Sequence, residues 1–119
     1  MVKTLPQKHS FSIGDTDVVS VDFTKRLDAS EVIDSAAVVG VDDDSELSIG
    51  SVQVNSAAYD DELQPDARGN AATVAIGKAV HFTLSSSATL ETEYTIKVTA
   101  TSDRSPARVL VRYLKLVFK

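Results

Sequence analysis

Two acidic segments hold the residues with the clearest potential for site chemistry. In the first, Asp42, Asp44 and Glu46 place carboxylates at alternate positions, as a loop that supplies oxygen ligands to calcium would require. The segment lacks the glycine and the distal bidentate glutamate of an EF-hand loop. We therefore expect a solvated turn, in which Asp42, Asp44 and Glu46 are weak candidates and no metal site is predicted. A second acidic cluster, at residues 60–62 and 66, has the same two interpretations, and the two loops could share a cation if they met.

Catalysis by a nucleophile would need a hydroxyl or thiol beside a base. His81 precedes Ser85 by four residues, but no strained G-x-S-x-G turn surrounds this serine, and we expect His81 to face solvent or a sheet edge. Carboxylate pairs could serve a glycosidase, yet a small chain with no Trp and 6% aromatic residues makes a poor sugar cleft. The chain has no Cys, two His and no glycine-rich phosphate loop, so thiol chemistry, disulfides and a His-rich metal site are excluded. We expect no enzyme and no cofactor.

The elements that position these residues are predicted to be strands. Val, Ile and Thr account for 31 of the 119 residues, and β-branched side chains favour a pleated surface. A period of two is plainest at Val19–Phe23, Val80–Leu84 and residues 94–101. Further strands are predicted at residues 31–41, 51–54, 72–76 and 108–119, although residues 34–37 would also suit a helical turn. Residues 55–70 are predicted to form an exposed irregular loop.

Both ends of the chain are predicted to contact other subunits. Residues 1–17 form an arm without a sustained period, which could add an edge strand, dock on another subunit or fray. Residues 108–119 are apolar on both strand faces and would extend roughly 40 Å, longer than an ordinary sandwich strand. We expect this strand to leave the domain and to be covered by a neighbour. The predicted interface residues are Leu5, Phe11, Ile13, Tyr113, Leu114, Leu116, Val117 and Phe118.

The charge is divided between the two halves of the chain. Residues 1–66 carry 14 acidic and 4 basic side chains, a net charge of −10, whereas residues 67–119 carry 3 acidic and 8 basic ones, a net charge of +5. Either the halves interleave within one sandwich, or they form a dipolar surface that steers copies or a partner into contact. An acidic chain without a basic, aromatic patch is not expected to bind nucleic acid. No apolar run suits a membrane span or a signal-peptide core, so we expect a soluble protein made in the cytoplasm.

Tyr94 is predicted to have an architectural role. It opens a strand after a Thr-rich turn, as does the tyrosine corner of immunoglobulin-like sandwiches, whose hydroxyl bonds to backbone a few residues upstream. The alternative is an ordinary core tyrosine.

The order of these segments resembles small immunoglobulin-like virion proteins of tailed bacteriophages. The residues that carry the resemblance lie within about residues 17–115 and are Val19–Phe23, Leu27-Asp28, Glu31–Ala36, Gly77–Leu84 and Glu93–Ser102. The chain departs from the pattern in its long acidic loop with residues 55–70 and in a C-terminal strand that continues through Phe118. The expected fold is all-β, an immunoglobulin-like antiparallel β-sandwich of about seven or eight strands over residues 18–119, preceded by the extended arm of residues 1–17.

The resemblance implies a non-enzymatic structural protein of the virion. We expect a decoration or cement protein on the head surface that binds neighbours through its arm and its C-terminal strand. Its partners would be a major capsid or tail protein and other copies of itself as a homo-oligomer, with no nucleic acid and no membrane. The alternative is a tail- or fibre-attached adhesion module that binds calcium or a host glycan through the acidic loops. In either case the protein would be made in the host cytoplasm and reside in the virion.

Overall fold

The computed structural model describes residues 3–6, 8–41, 46–65, 68–69 and 71–119. Within these ranges the chain forms ten β-strands. In chain order these strands are β1 (Lys3–Thr4), β2 (Lys8–Phe11), β3 (Asp17–Asp22), β4 (Ile33–Gly40), β5 (Leu47–Val54), β6 (Tyr59–Pro65), β7 (Ala71–Val74), β8 (Ala79–Ser86), β9 (Thr92–Ser102) and β10 (Val109–Phe118). A short 3₁₀ turn at Thr24–Arg26 follows β3. No helix in the described ranges is long and apolar enough to cross a membrane.

Two four-stranded sheets form the sandwich. Sheet A has the strand order β1-β3-β8-β5, and sheet B has the order β2-β10-β9-β4. Apart from the parallel pairs made by β1 and β2, neighbouring strands are antiparallel. With β3 as strand B, the two sheets correspond to the ABED and CFG sheets of an immunoglobulin sandwich. The prediction of an all-β, immunoglobulin-like antiparallel sandwich is confirmed.

The core lies between the strands in which the alternation is strongest. On β9, Tyr94, Ile96, Val98 and Ala100 are all buried, with exposed fractions of 1% or less, and the residues between them point outward. Val80, Phe82 and Leu84 face them from β8. The helical alternative for residues 34–37 is wrong, because this segment pairs with β9 as part of β4.

The N-terminal arm belongs to both sheets. β1 pairs in parallel with β3, and the backbone N–H of Leu5 donates to the carbonyl of Ser20 at 2.7 Å. The chain then crosses at Pro6 to sheet B, where β2 pairs in parallel with β10. Because Leu5 and Phe11 are 1% and 5% exposed, the described part of residues 1–17 packs as an element of the sandwich rather than extending from it.

The C-terminal strand stays inside the domain, and the expectation that its end leaves it is wrong. β10 pairs with β9 along its whole length and with β2 from Lys115 to Phe118. The ring of Phe118 stacks on Phe11 with centroids 5.2 Å apart and meets Tyr94 edge-on at 5.6 Å. The apolar surface that we assigned to a neighbour is therefore covered by the chain's own arm.

Residues 55–70 contain more regular structure than expected. β6 and β7 pair as an antiparallel two-stranded sheet, so the prediction of an irregular loop is wrong for Tyr59–Pro65. The sequence does not indicate this strand because three consecutive acidic residues, Asp60, Asp61 and Glu62, break any alternation of apolar and polar side chains. In the structure the pairing register shifts between Asp61 and Pro65.

Replacing Phe118 by alanine tests the contact between arm and C-terminal strand. We expect Phe118→Ala to lower the free energy of unfolding by about 3–5 kcal/mol, because it removes a fully buried ring from between Phe11 and Tyr94. Urea denaturation followed by circular dichroism measures the change. Val109→Ala is the control on the same strand, since Val109 is 61% exposed, and it should change stability by no more than about 0.5 kcal/mol. Equal effects of the two substitutions would contradict the contact.

Candidate protein-binding surfaces

Most of the predicted interface residues are not at the surface. Their side chains are buried for Leu5, Phe11, Leu114, Leu116, Val117 and Phe118. Ile13 is partly buried against the same core. Tyr113 differs from these residues because its side chain is 54% exposed. The surface that the chain offers to a partner therefore has to be sought around Tyr113 rather than along the arm.

Tyr113 lies on a solvent-facing surface of sheet B that the strand register defines. Val39 on β4, Lys97 on β9 and Tyr113 on β10 occupy one row across the sheet. We call this surface the valine–tyrosine face; it comprises the outward residues Val39, Val41, Thr95, Lys97, Thr99, Thr101, Val109, Val111 and Tyr113. Val39, Val41 and Val109 are 52%, 51% and 61% exposed. Half-exposed valines and a tyrosine therefore flank the polar outward side of β9, and exposed apolar residues on one side of a sheet mark it as a candidate interaction surface.

Sequence patterning missed this face for a physical reason. The outward valines of β4 and β10 follow the same period of two as core residues, so each strand is apolar on both sides and the pattern alone does not tell which side is covered. The sequence did contain one indication of this face, because the outward side of β9 is rich in Thr. A polar outward side on β9 indicates that the same side of its two neighbours, β4 and β10, is also exposed.

Basic side chains border the valine–tyrosine face. Glu93 at one end of β9 lies 3.9 Å from the ammonium of Lys8 and 3.8 Å from that of Lys115. These groups are exposed, and ion pairs of this kind contribute little to stability. Among the described residues of the face and its border, Lys8, Lys97 and Lys115 outnumber Glu93, whereas the acidic residues at 42–44 that follow Val41 lie outside the described residues.

The candidate metal residues are not brought together in the described structure. Asp42 and Asp44 lie outside the described residues, and Glu46 is exposed where the chain enters β5. Among the residues that the structure describes, no three His, Asp or Glu side chains form a group that could hold a metal ion.

His81 lies on the outer side of sheet A, beneath the β6–β7 hairpin. It was expected to face solvent, but the ring of Tyr59 covers it edge-on at 5.0 Å, and burial lowers its pKa. The hydroxyls of Tyr59 and Ser20 lie 2.8 Å apart and fix the hairpin to the sheet. Ser85 is four positions further along β8, about 13 Å away at strand spacing, so His81 and Ser85 do not form a base–nucleophile pair.

Tyr94 is buried at the start of β9, as expected of a tyrosine corner, but its partner differs. Its hydroxyl lies 2.8 Å from the Ser86 hydroxyl rather than bonding to backbone. The oxygen of Ser86 also accepts the backbone N–H of Ala88 at 3.1 Å. The hydroxyl of Ser86 therefore connects Tyr94 to the turn that follows β8 by hydrogen bonds to both.

The two oppositely charged halves of the chain meet at one end of the sandwich. The carboxylate of Glu31, with its side chain 1% exposed, accepts two hydrogen bonds from the guanidinium of Arg108, one of them from Nε at 3.0 Å. Nearby, the buried Lys78 donates from Nζ to the carbonyls of Asp28, Ala29 and Glu31. In these contacts, side chains of one half of the chain interact with the other half within a single molecule. This agrees with the first of the two interpretations of the charge division.

The contribution of the Glu31–Arg108 pair to the stability of the protein depends on pH. The hydrogen bond from Arg108 lowers the pKa of Glu31 from 4.5 to about 2, so the unfolded chain binds the proton first as pH falls. The pair's stabilisation is complete above pH 4.5 and is lost between pH 4.5 and about 2. We expect Glu31→Gln to melt below the wild type at pH 7, and the gap in melting temperature to narrow as pH falls through this window.

Thermal melting followed by circular dichroism measures that gap. Glu91→Gln is the control, because Glu91 is exposed in the turn before β9, and it should melt like the wild type throughout. A gap between wild type and Glu31→Gln that stays constant from pH 7 to pH 2 would contradict the assignment.

Comparisons with known proteins assign no function to these surfaces. No protein-family model matches the chain, and no curated protein matches it significantly. The functional conclusion therefore follows from the fold, the valine–tyrosine face and the charges that surround it.

Proposed function

We propose that this protein is a non-enzymatic structural protein of a tailed-bacteriophage virion, a decoration or cement protein that docks on the head shell through the valine–tyrosine face. The observation that carries the proposal is the half exposure of Val39, Val41, Val109 and Tyr113 on one side of a sandwich whose own core is complete. The immunoglobulin-like topology supports it, since the resemblance of the sequence is to virion proteins with that fold.

The dimensions of the face suit repeated, individually weak contacts. β4, β9 and β10 have 8, 11 and 10 residues, so at strand spacing they cover roughly 450 Å². A stable one-to-one complex buries about 800 Å² on each partner. One copy on one site would therefore bind modestly, whereas copies that also contact one another on a symmetric shell gain avidity.

We therefore assign these contacts to the valine–tyrosine face and no longer to the arm and the C-terminal strand. The apolar side chains of β2 and β10 are already buried against each other, and withdrawing them for a neighbour would expose the core. The valine–tyrosine face requires no rearrangement, which favours rigid docking.

A charge placed in the face tests the proposal. We expect Val39→Asp to weaken binding to particles assembled without this protein by about tenfold or more, because the new carboxylate would have to leave water when the face docks. Co-sedimentation of labelled protein with such particles measures the affinity.

Val18→Asp is the matched control for this experiment. Val18 is also a strand valine, 44% exposed, but it points outward from sheet A on β3. It should bind particles like the wild type, and both variants should retain the wild-type circular dichroism spectrum. Loss of binding in Val18→Asp with retention in Val39→Asp would overturn the choice of face, and absence of particle binding by the wild type would overturn the virion proposal.

A further inference from the structure

A basic cleft lies at the end of the sandwich where β3 ends. It is lined by Asp22, Lys25, Arg26 and Arg112, so three cations surround one carboxylate. That carboxylate is already engaged, because Oδ1 of Asp22 accepts the backbone N–H of Thr24 at 2.9 Å and the hydroxyl of the same residue. The cleft therefore retains an excess of positive charge.

Two of the cations are positioned in different ways. Arg26 is held by a 2.8 Å hydrogen bond from Nη1 to the carbonyl of Val111, and its guanidinium lies 6.0 Å from the centre of the Phe23 ring. Arg112 occupies an inward position on β10, opposite Val98 and between Leu110 and Leu114 on the same side of the strand. It is half-buried and has no ion-pair partner in the described part of the chain.

An unpaired, half-buried arginine favours an anionic ligand. Its guanidinium has lost part of its hydration, and a carboxylate can accept two parallel hydrogen bonds from it. β2 covers β10 only from Lys115 onward, so the side of β10 that holds Arg112 is open to an incoming group.

The sequence supplies carboxylates at the opposite end of the same molecule. The run at residues 42–46 contains four acidic side chains, and it joins β4 to β5. Gly40 at the end of β4 pairs with Ile96, near the start of β9, and Leu47 at the start of β5 pairs with Ser86, at the end of β8. By contrast, Asp22 of the cleft pairs with Ala79, at the start of β8. The described residues that flank the acidic run, Gly40 and Leu47, therefore lie at the end of the sandwich opposite the basic cleft, whereas residues 42–45 themselves lie outside the described residues.

We propose that the cleft binds the acidic run of a second copy, so that copies associate end to end. Such a contact joins two different surfaces of identical molecules and generates rows or closed rings. The inference deepens the proposed function and rests on it in one respect, since the contact would link neighbouring copies on the shell.

Sedimentation velocity of the purified protein tests the contact without any particle. At about 0.1 M salt the screening length is about 10 Å, so ion pairs in contact persist, whereas at about 1 M it is about 3 Å and they weaken. We expect a weight-average mass that rises with protein concentration above 12.7 kDa in the lower salt and returns to the monomer value in the higher salt. A monomer at all concentrations in both salts would overturn the proposal.

Charge reversal identifies the two surfaces. Arg112→Glu should abolish the association, as should Asp42→Lys with Asp44→Lys, and combining all three changes in one chain should restore it. Lys25→Glu provides a second cleft variant if Arg112→Glu alters the circular dichroism spectrum. Lys119→Glu, which changes the net charge equally but at the opposite end of the sandwich, is the control and should still associate. Association that survives both cleft variants would overturn the assignment.

The outcomes separate this inference from the proposed function. Val39→Asp should keep self-association while it loses particle binding. A wild type that binds particles but stays monomeric in both salts overturns only the end-to-end contact. A wild type that self-associates through the cleft but does not bind particles overturns only the virion proposal.

Discussion

The mutual burial of the N-terminal arm and the C-terminal strand is the contact on which the remaining architecture depends. Phe118 lies between Phe11 and Tyr94, and all three rings are almost fully buried. Because the arm pairs with β3 through β1 and with β10 through β2, it joins the two sheets along one side. This pairing also covers part of an exposed edge of β10, which would otherwise be free to add foreign strands.

The two ends of the sandwich are held by different forces. At the end where β10 finishes, apolar rings pack together, and this contribution is insensitive to salt and changes little with pH. At the end where β10 begins, the pair formed by Glu31 and Arg108 and the carbonyl contacts of Lys78 tie the turn after β3 to the rest of the chain. Apolar packing therefore dominates the contacts at the first end and hydrogen-bonded charges those at the second, and the basic cleft lies beside the Glu31–Arg108 pair.

Sequence patterning predicted most of the strands, because one-sided alternation is a local property. Val80–Leu84 and residues 94–101 lie in β8 and β9, whose inward side chains form the core. The strand that is apolar on both sides was interpreted wrongly because β2, which pairs with the edge of its C-terminal part, has only four residues and lies more than a hundred residues away. The valine–tyrosine face and the isolation of Arg112 depend on strand register, which composition and periodicity do not specify.

The proposed docking requires that the valine–tyrosine face contact the shell while the arm stays within its own domain. A cryo-electron microscopy reconstruction of a virion that carries this protein would show which surface meets the shell. We expect shell density against Tyr113 and Val39, with β2 paired to β10 of the same copy. Density that shows the valine–tyrosine face open to solvent, or the arm inserted into a neighbouring copy, would contradict it.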